Sequence, residues 1–173
     1  MHLRIAYVEG KWRTAEVIST VSRGYGKYTF VIGDVPNGLA EGFILGFFTW
    51  DDSPEQFHRE IDIEFRGPNL SNGAFTVQPW DGADHHQPFD VVPSQGTYSF
   101  DWRPESVIFE NRDVANELRD SWSYSGADIP IPGKERVRMN FWLLRGNPPS
   151  VSEPIEIIVN DFSFTPFEES PSN

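Results

Sequence analysis

In Glu60-Ile61-Asp62-Ile63-Glu64-Phe65, apolar residues fill every second position and carboxylates fill the positions between. Side chains on a β-strand alternate between faces. A period of two therefore sends Ile61, Ile63 and Phe65 into a core and sets three carboxylates side by side on the opposite face, with Cα atoms ~6.6 Å apart. Similar short runs, rich in β-branched and aromatic residues, recur along the chain between clusters of Gly, Pro, Asn and Asp, the spacing of an all-β sandwich or jelly roll. The expected strands are Thr14–Thr20, Gly26–Ile32, Glu41–Trp50, Arg59–Phe65, Ala74–Trp80, Gly96–Arg103, Ser106–Asn111, Arg136–Leu144 and Ile155–Pro166. Asp113–Pro132 has room for one helical turn around Val114–Arg119, and Arg145–Pro154, with Pro148-Pro149, reads as a loop. No internal repeat is visible. At 173 residues the chain suits one domain, expected over 1–167, with a frayed acidic tail at 168–173.

Three like charges in a row on one strand work against stability. Such a face can be merely solvated, hold a cation, or carry carboxylate chemistry. Two carboxyl groups flanking a glycosidic bond can divide the labour of hydrolysis, one attacking or activating water and the other protonating the leaving oxygen. A third carboxylate between them raises the cost of ionising the trio, which keeps one acid protonated near neutral pH. Glu60, Asp62 and Glu64 supply that arrangement. Retaining chemistry wants the two carboxyls ~5–5.5 Å apart, whereas four residues of strand span ~13 Å. The two Glu side chains would have to lean together, so the spacing permits the chemistry without proving it.

The charge balance narrows the partner. Lys and Arg total 14 against 26 Asp and Glu, a net charge of −12. Phosphate contacts need clustered cations, so a nucleic acid or an anionic membrane is not expected, and an uncharged sugar is. No run approaches the ~18 apolar residues of a membrane span. With no Cys, disulfides, thiolate metal sites and a Cys nucleophile are excluded. The 14 Phe and 6 Trp offer either core packing or flat rings for stacking on sugars.

His58-Arg59-Glu60-Ile61-Asp62-Ile63-Glu64-Phe65 resembles the signature of glycoside hydrolase family 16, the laminarinase, lichenase and xyloglucan transglycosylase group. Four further stretches resemble the family in the right order. They are Thr14-Ala15-Glu16-Val17 followed by Gly24-Tyr25-Gly26-Lys27-Tyr28; Phe47-Phe48-Thr49-Trp50; Thr97-Tyr98-Ser99-Phe100-Asp101-Trp102-Arg103-Pro104-Glu105-Ser106; and Met139-Asn140-Phe141-Trp142. The resemblance implies a concanavalin A-like jelly roll of two curved antiparallel sheets with a cleft on the concave face. It implies Glu60 as nucleophile, Glu64 as general acid/base and Asp62 as the carboxylate assisting Glu60. The lack of an extra residue between Asp62 and Glu64 is similar to the lichenase and transglycosylase branch.

Alternation then assigns faces. Phe48 and Trp50, then Thr76, Gln78 and Trp80, then Arg138, Asn140 and Trp142 are expected on the cleft side, and Phe75, Val77, Met139 and Phe141 in the core. Trp50, Trp80 and Trp142 are the candidates for sugar stacking, and His58 is expected to line the site. Thr29 and Val31 stand where lichenases resemble one another in having Glu and Arg that reach distal sugars. Gln78 stands where Asn is usual, His58 where lichenases have Trp and transglycosylases often have His, and Glu110–Asp113 lacks the family's turn. Asp161 matches an Asp that binds calcium in some members, while a surface role is the plainer reading; no cofactor is otherwise required. His85-His86 is read as a solvated loop. The expected activity is that of a monomeric, retaining endo-β-glycanase on a neutral β-linked polysaccharide. The alternatives are a transglycosylase or a catalytically silent carbohydrate binder. The family implies a secreted or cell-surface protein, although Met1-His2-Leu3-Arg4 lacks the apolar run of a signal peptide.

Overall fold

Most strands of this chain have one apolar face, and the fold pairs those faces across two sheets. A computed structural model describes residues 1–33, 35, 42–90, 96–149 and 153–169. Thirteen strands run in chain order among them: β1 (His2–Val8), β2 (Lys11–Arg13), β3 (Ala15–Ile18), β4 (Gly26–Ile32), β5 (Phe43–Trp50), β6 (Ile61–Arg66), β7 (Asn72–Val77), β8 (His86–Asp90), β9 (Gly96–Trp102), β10 (Val107–Asp113), β11 (Leu118–Tyr124), β12 (Arg136–Leu143) and β13 (Ile155–Pro166). They form a seven-stranded sheet in the order β11-β10-β9-β4-β13-β1-β2 and a six-stranded sheet in the order β3-β12-β5-β6-β7-β8. All pairings are antiparallel.

Aromatic rings join the layers. Phe30 of β4 stacks on Phe47 of β5 at 4.8 Å, Phe75 of β7 on Phe109 of β10 at 4.9 Å, and Phe65 of β6 meets Tyr98 of β9 edge-on at 4.8 Å. Ile61, Ile63 and Phe65 are fully enclosed between the sheets, as are Phe75, Val77 and Phe141, while Met139 is nearly so. The expected register therefore holds, and the carboxylate face of β6 is the outer face of the six-stranded sheet. No helix among the described residues is long and apolar enough to cross a membrane.

Several expectations need correction. Around Val114–Arg119 there is a tight turn rather than a helical turn: the Asp113 carboxylate accepts from the Ala115 and Glu117 N–H groups. The chain then returns as β11 against β10. The strand expected to end at Trp80 stops at Val77, and the one expected from Arg59 starts at Ile61. Glu41 and residues 170–173 of the expected tail lie outside the described residues. Thr29 and Val31 sit on β4 between the core-facing Tyr28, Phe30 and Ile32, so they face outward from the seven-stranded sheet. Their difference from lichenases does not reach the carboxylate face.

Candidate active site

The strand carrying the trio is set in place by a buried ion pair. Arg59 donates to the Asp51 carboxylate at 3.0 Å and to the Ile131 carbonyl at 2.8 Å. Its own carbonyl accepts from the Thr49 hydroxyl at 2.7 Å, and that hydroxyl in turn accepts from the Ile61 N–H. The N–H of Ser53, then that of Lys134 and the Arg59 charge, hold Asp51 below the usual carboxylate range against the opposing effect of burial. A charge pair removed from water needs this full set of partners to persist. Between Asp51 and Glu60 the chain passes through four left-handed residues, Gln56, Phe57, His58 and Arg59, with φ of 51–61°. This turn lays the His58 ring flat on Trp50 at 3.9 Å, while His58 Nδ1 donates to the Asp51 carbonyl.

From Glu60 onward the register lines up the site. Asp62 lies between Phe48 on β5 and Thr76 on β7, and Glu64 between Gly46 and Ala74. Gln78 donates from its side chain to Asp62 at 3.1 Å and from its backbone to the Glu60 carbonyl, and its Oε1 accepts from the Trp80 N–H. Asp62, Glu64, Thr76, Gln78, Trp80 and His86 line a cavity of about 240 Å³, together with Arg66. Trp80 is 64% exposed and meets the His86 ring edge-on at 6.2 Å. One strand over, Asn140 pairs with Gly46, where a Cβ would stand 2.8 Å from its Oδ1. That Oδ1 is buried without a hydrogen-bond partner. Trp142 lies beyond it on the same face, opposite Ile44 and half-buried.

Electrostatics separates the three carboxyls. Burial, then the Glu60 charge and a hydrogen bond to Glu60, drives Asp62 well above the usual range, so a proton shared by this pair favours Asp62. Burial also raises Glu60, but that hydrogen bond and the nearby His58 and Arg138 pull it back. Glu64 is raised by burial and restrained only by Arg66. All three carboxyls are raised, Asp62 the most, and Glu60 alone is restrained by a hydrogen bond from within the trio.

A protonated Asp62 has a stability consequence. Below the ordinary Asp pKa, folded and unfolded chains both hold this proton. As pH rises past it, the unfolded chain ionises first and wild-type stability falls. Asp62→Asn keeps a donor for Glu60 and an acceptor for Gln78 without that cost. Its melting temperature is expected to exceed wild type by about 2–4 °C near pH 7, with the gain gone near pH 3. An unchanged difference across that range in thermal scans would contradict a neutral Asp62.

The structure also departs from the sequence reading here. Arg138, expected on the cleft side, is paired with Glu16 at 3.1 Å and Asp52 at 2.7 Å and lies over the Trp50 ring. Arg66, which that reading passed over, lines the cavity and makes no ion pair among the described residues; its place two residues after Glu64 was the available signal. His85-His86 is not a solvated loop: His85 is buried, and His86 belongs to β8, where its Nδ1 lies 3.0 Å from the Thr76 hydroxyl. Asp161 is exposed at an irregularity in β13. Among the described residues no three His, Cys, Asp or Glu side chains gather as a metal site.

The family model described as "Glycosyl hydrolases family 16" matches residues 2–149. The chain is 29% identical over 160 residues to xyloglucan endotransglycosylase/hydrolase protein 8 of Oryza sativa subsp. japonica, covering 82% of this chain and 53% of that protein. It is 31% identical over 142 residues to a beta-glucanase of Bacillus licheniformis, covering 76% and 52%. It thus spans about half the length of the curated relatives it matches. A solved Bacillus licheniformis beta-glucanase superposes with a TM-score of 0.69 over 95% of this chain and 77% of that one at 24% identity. This last likeness is one of fold, and it is the jelly roll that the sequence predicts.

Proposed function

From the premise that this chain belongs to glycosyl hydrolase family 16, we propose that it is a retaining endo-β-glycanase acting on a neutral β-glucan. The observation that carries this reading is the alignment of Glu60, Asp62 and Glu64 along the outer face of the six-stranded sheet, with Gln78 bonded to Asp62 and to the Glu60 carbonyl. In the first step Glu60 attacks the anomeric carbon, the glycosidic C–O bond breaks, and the Glu64 proton passes to the leaving oxygen. In the second step Glu64 takes a proton from water, whose oxygen attacks the same carbon and releases Glu60. Trp50 with His58, Phe48, Trp80 and Trp142 supply apolar and ring surface for sugars. Gln78 and Asn140 supply polar side chains for sugar hydroxyls. No step uses a metal, and Asp161 is assigned no part. A polymer that does not cross membranes places the enzyme outside the cell.

The test is incubation with a panel of β-glucans, with products sized and early anomers read by proton NMR. Shortened products appearing first as the β-anomer support the reading, and early α-anomer or binding without turnover overturns it. The similarity to the rice endotransglycosylase/hydrolase favours transglycosylation as a second reading. A labelled oligosaccharide acceptor would then be built into products longer than itself.

Arg66 gives this mechanism a pH signature. Its charge restrains the burial-raised Glu64, so Arg66→Gln lets the Glu64 pKa rise further. The alkaline limb of the kcat/KM profile, which reports the protonated acid, is expected to move to higher pH. A shift to lower pH would separate Arg66 from the acid.

A further inference from the structure

Gln78 and Trp80 leave the end of β7 on a segment that has no strand partner. What holds this segment is a side chain from the other sheet. His85 closes the loop: its carbonyl accepts from the Val77 N–H at 3.0 Å, and its Nδ1 lies 2.9 Å from the Val77 carbonyl. A carbonyl only accepts, so Nδ1 carries a proton, and Nε2 lies 2.8 Å from the Tyr124 hydroxyl. The Asp128 carboxylate stands 3.4 Å from the same Nε2. The loop backbone is pressed against the imidazole, since a Cβ on Gly82 would come within 2.7 Å of the ring. Tyr124 is buried at the end of β11, the outermost strand of the seven-stranded sheet, whereas Val77 ends a strand of the six-stranded sheet.

We propose that His85 is a positioning residue for the cleft, fastened by Tyr124 so that segment 78–85 holds Gln78 against Asp62 and Trp80 beside the carboxylates. The proposal rests on the glycanase reading for its consequence in catalysis, but not for its structural content. The residue next to the His85-bound Val77 is Gln78, which bonds both Asp62 and the Glu60 carbonyl. Two residues further on, Trp80 is tied back to Gln78. A core position serving only to fill space would be met by an apolar side chain. This one spends both ring nitrogens on two elements of different sheets.

Tyr124→Phe removes one oxygen and keeps the ring that packs on His85 at 4.7 Å. Gly126→Ala is the second variant: its new methyl would collide with the Tyr124 hydroxyl from the exposed side. Amide hydrogen exchange, read on the whole chain without substrate, should speed up in residues 78–86 and stay unchanged in β6. On β-glucan, KM should rise about three- to tenfold, the loss of one hydrogen bond, with kcat changed less than about twofold. If the effect runs through Trp80, Tyr124→Phe added to Trp80→Ala should raise KM no further. Unchanged exchange in 78–86 in a folded variant, or KM effects that multiply in the double variant, overturns the proposal. Wild-type protein without action on any β-glucan would overturn the glycanase reading instead, and the exchange result would still decide the clasp.

Discussion

Glu60→Gln is expected to lower turnover of β-glucan by about 10⁵-fold or more, the scale seen when an enzyme loses its nucleophile. An amide can neither carry the negative charge that attacks the anomeric carbon nor form the glycosyl ester. Burial raises both glutamates, but Glu60 has the larger set of groups opposing that rise, which suits it rather than Glu64 to this part. Asp62 donates to Glu60, and His58 and Arg138 add positive potential. The substituted amide still fits beside Asp62, so the fold should persist and circular dichroism should match wild type. Folded Glu60→Gln protein retaining a tenth of wild-type activity would remove Glu60 from this role.

Glu64→Gln should divide substrates by their leaving groups. Polysaccharide cleavage is expected to fall by about 10²–10⁴-fold, the usual worth of general acid catalysis. An activated aryl glycoside needs little protonation and should still load Glu60. Release then stalls for lack of a base, and azide, which attacks without one, should accelerate it and give a β-glycosyl azide. A variant that ignores azide on the aryl substrate would place the acid/base elsewhere. The two substitutions thus distinguish a residue that forms a bond from one that moves a proton.

Much of this was legible in the sequence because the chemistry follows the pleat. Once Ile61, Ile63 and Phe65 are assigned inward, Glu60, Asp62 and Glu64 must share a face, and antiparallel pairing carries the same logic to Phe48, Thr76 and Asn140. Four strands escaped notice: β1, although its Leu3 and Ile5 alternate inward, the short β2, and two without that pattern. β11, Leu-Arg-Asp-Ser-Trp-Ser-Tyr, is a polar edge strand closed only at Tyr124, and β8 contains Pro88. Both lie at sheet margins, where one side needs no hydrogen-bond partner and propensity is weak. The contacts of Arg59 with Asp51 and of His85 with Tyr124 were illegible for another reason. They join residues across loops of no regular period, and nothing local marks a buried polar side chain whose partner lies 39 positions away. Arg138 shows the complementary limit, since its face was predictable and its neutralisation by Asp52 was not.

The alternation in β12 has a bearing on descent. Val137, Met139 and Phe141 face one way and Arg138, Asn140 and Trp142 the other. Point changes in the second set can therefore accumulate under selection for a new sugar while the first set is left alone. Insertions have no such freedom: one extra residue in mid-strand exchanges the two sets from that point onward. Lineages on this scaffold should diversify their grip on substrate by substitution within strands and by length only in the turns. For directed evolution, libraries confined to alternate codons of β5, β7 and β12 should contain a far larger share of folded members than libraries of equal size that saturate every position.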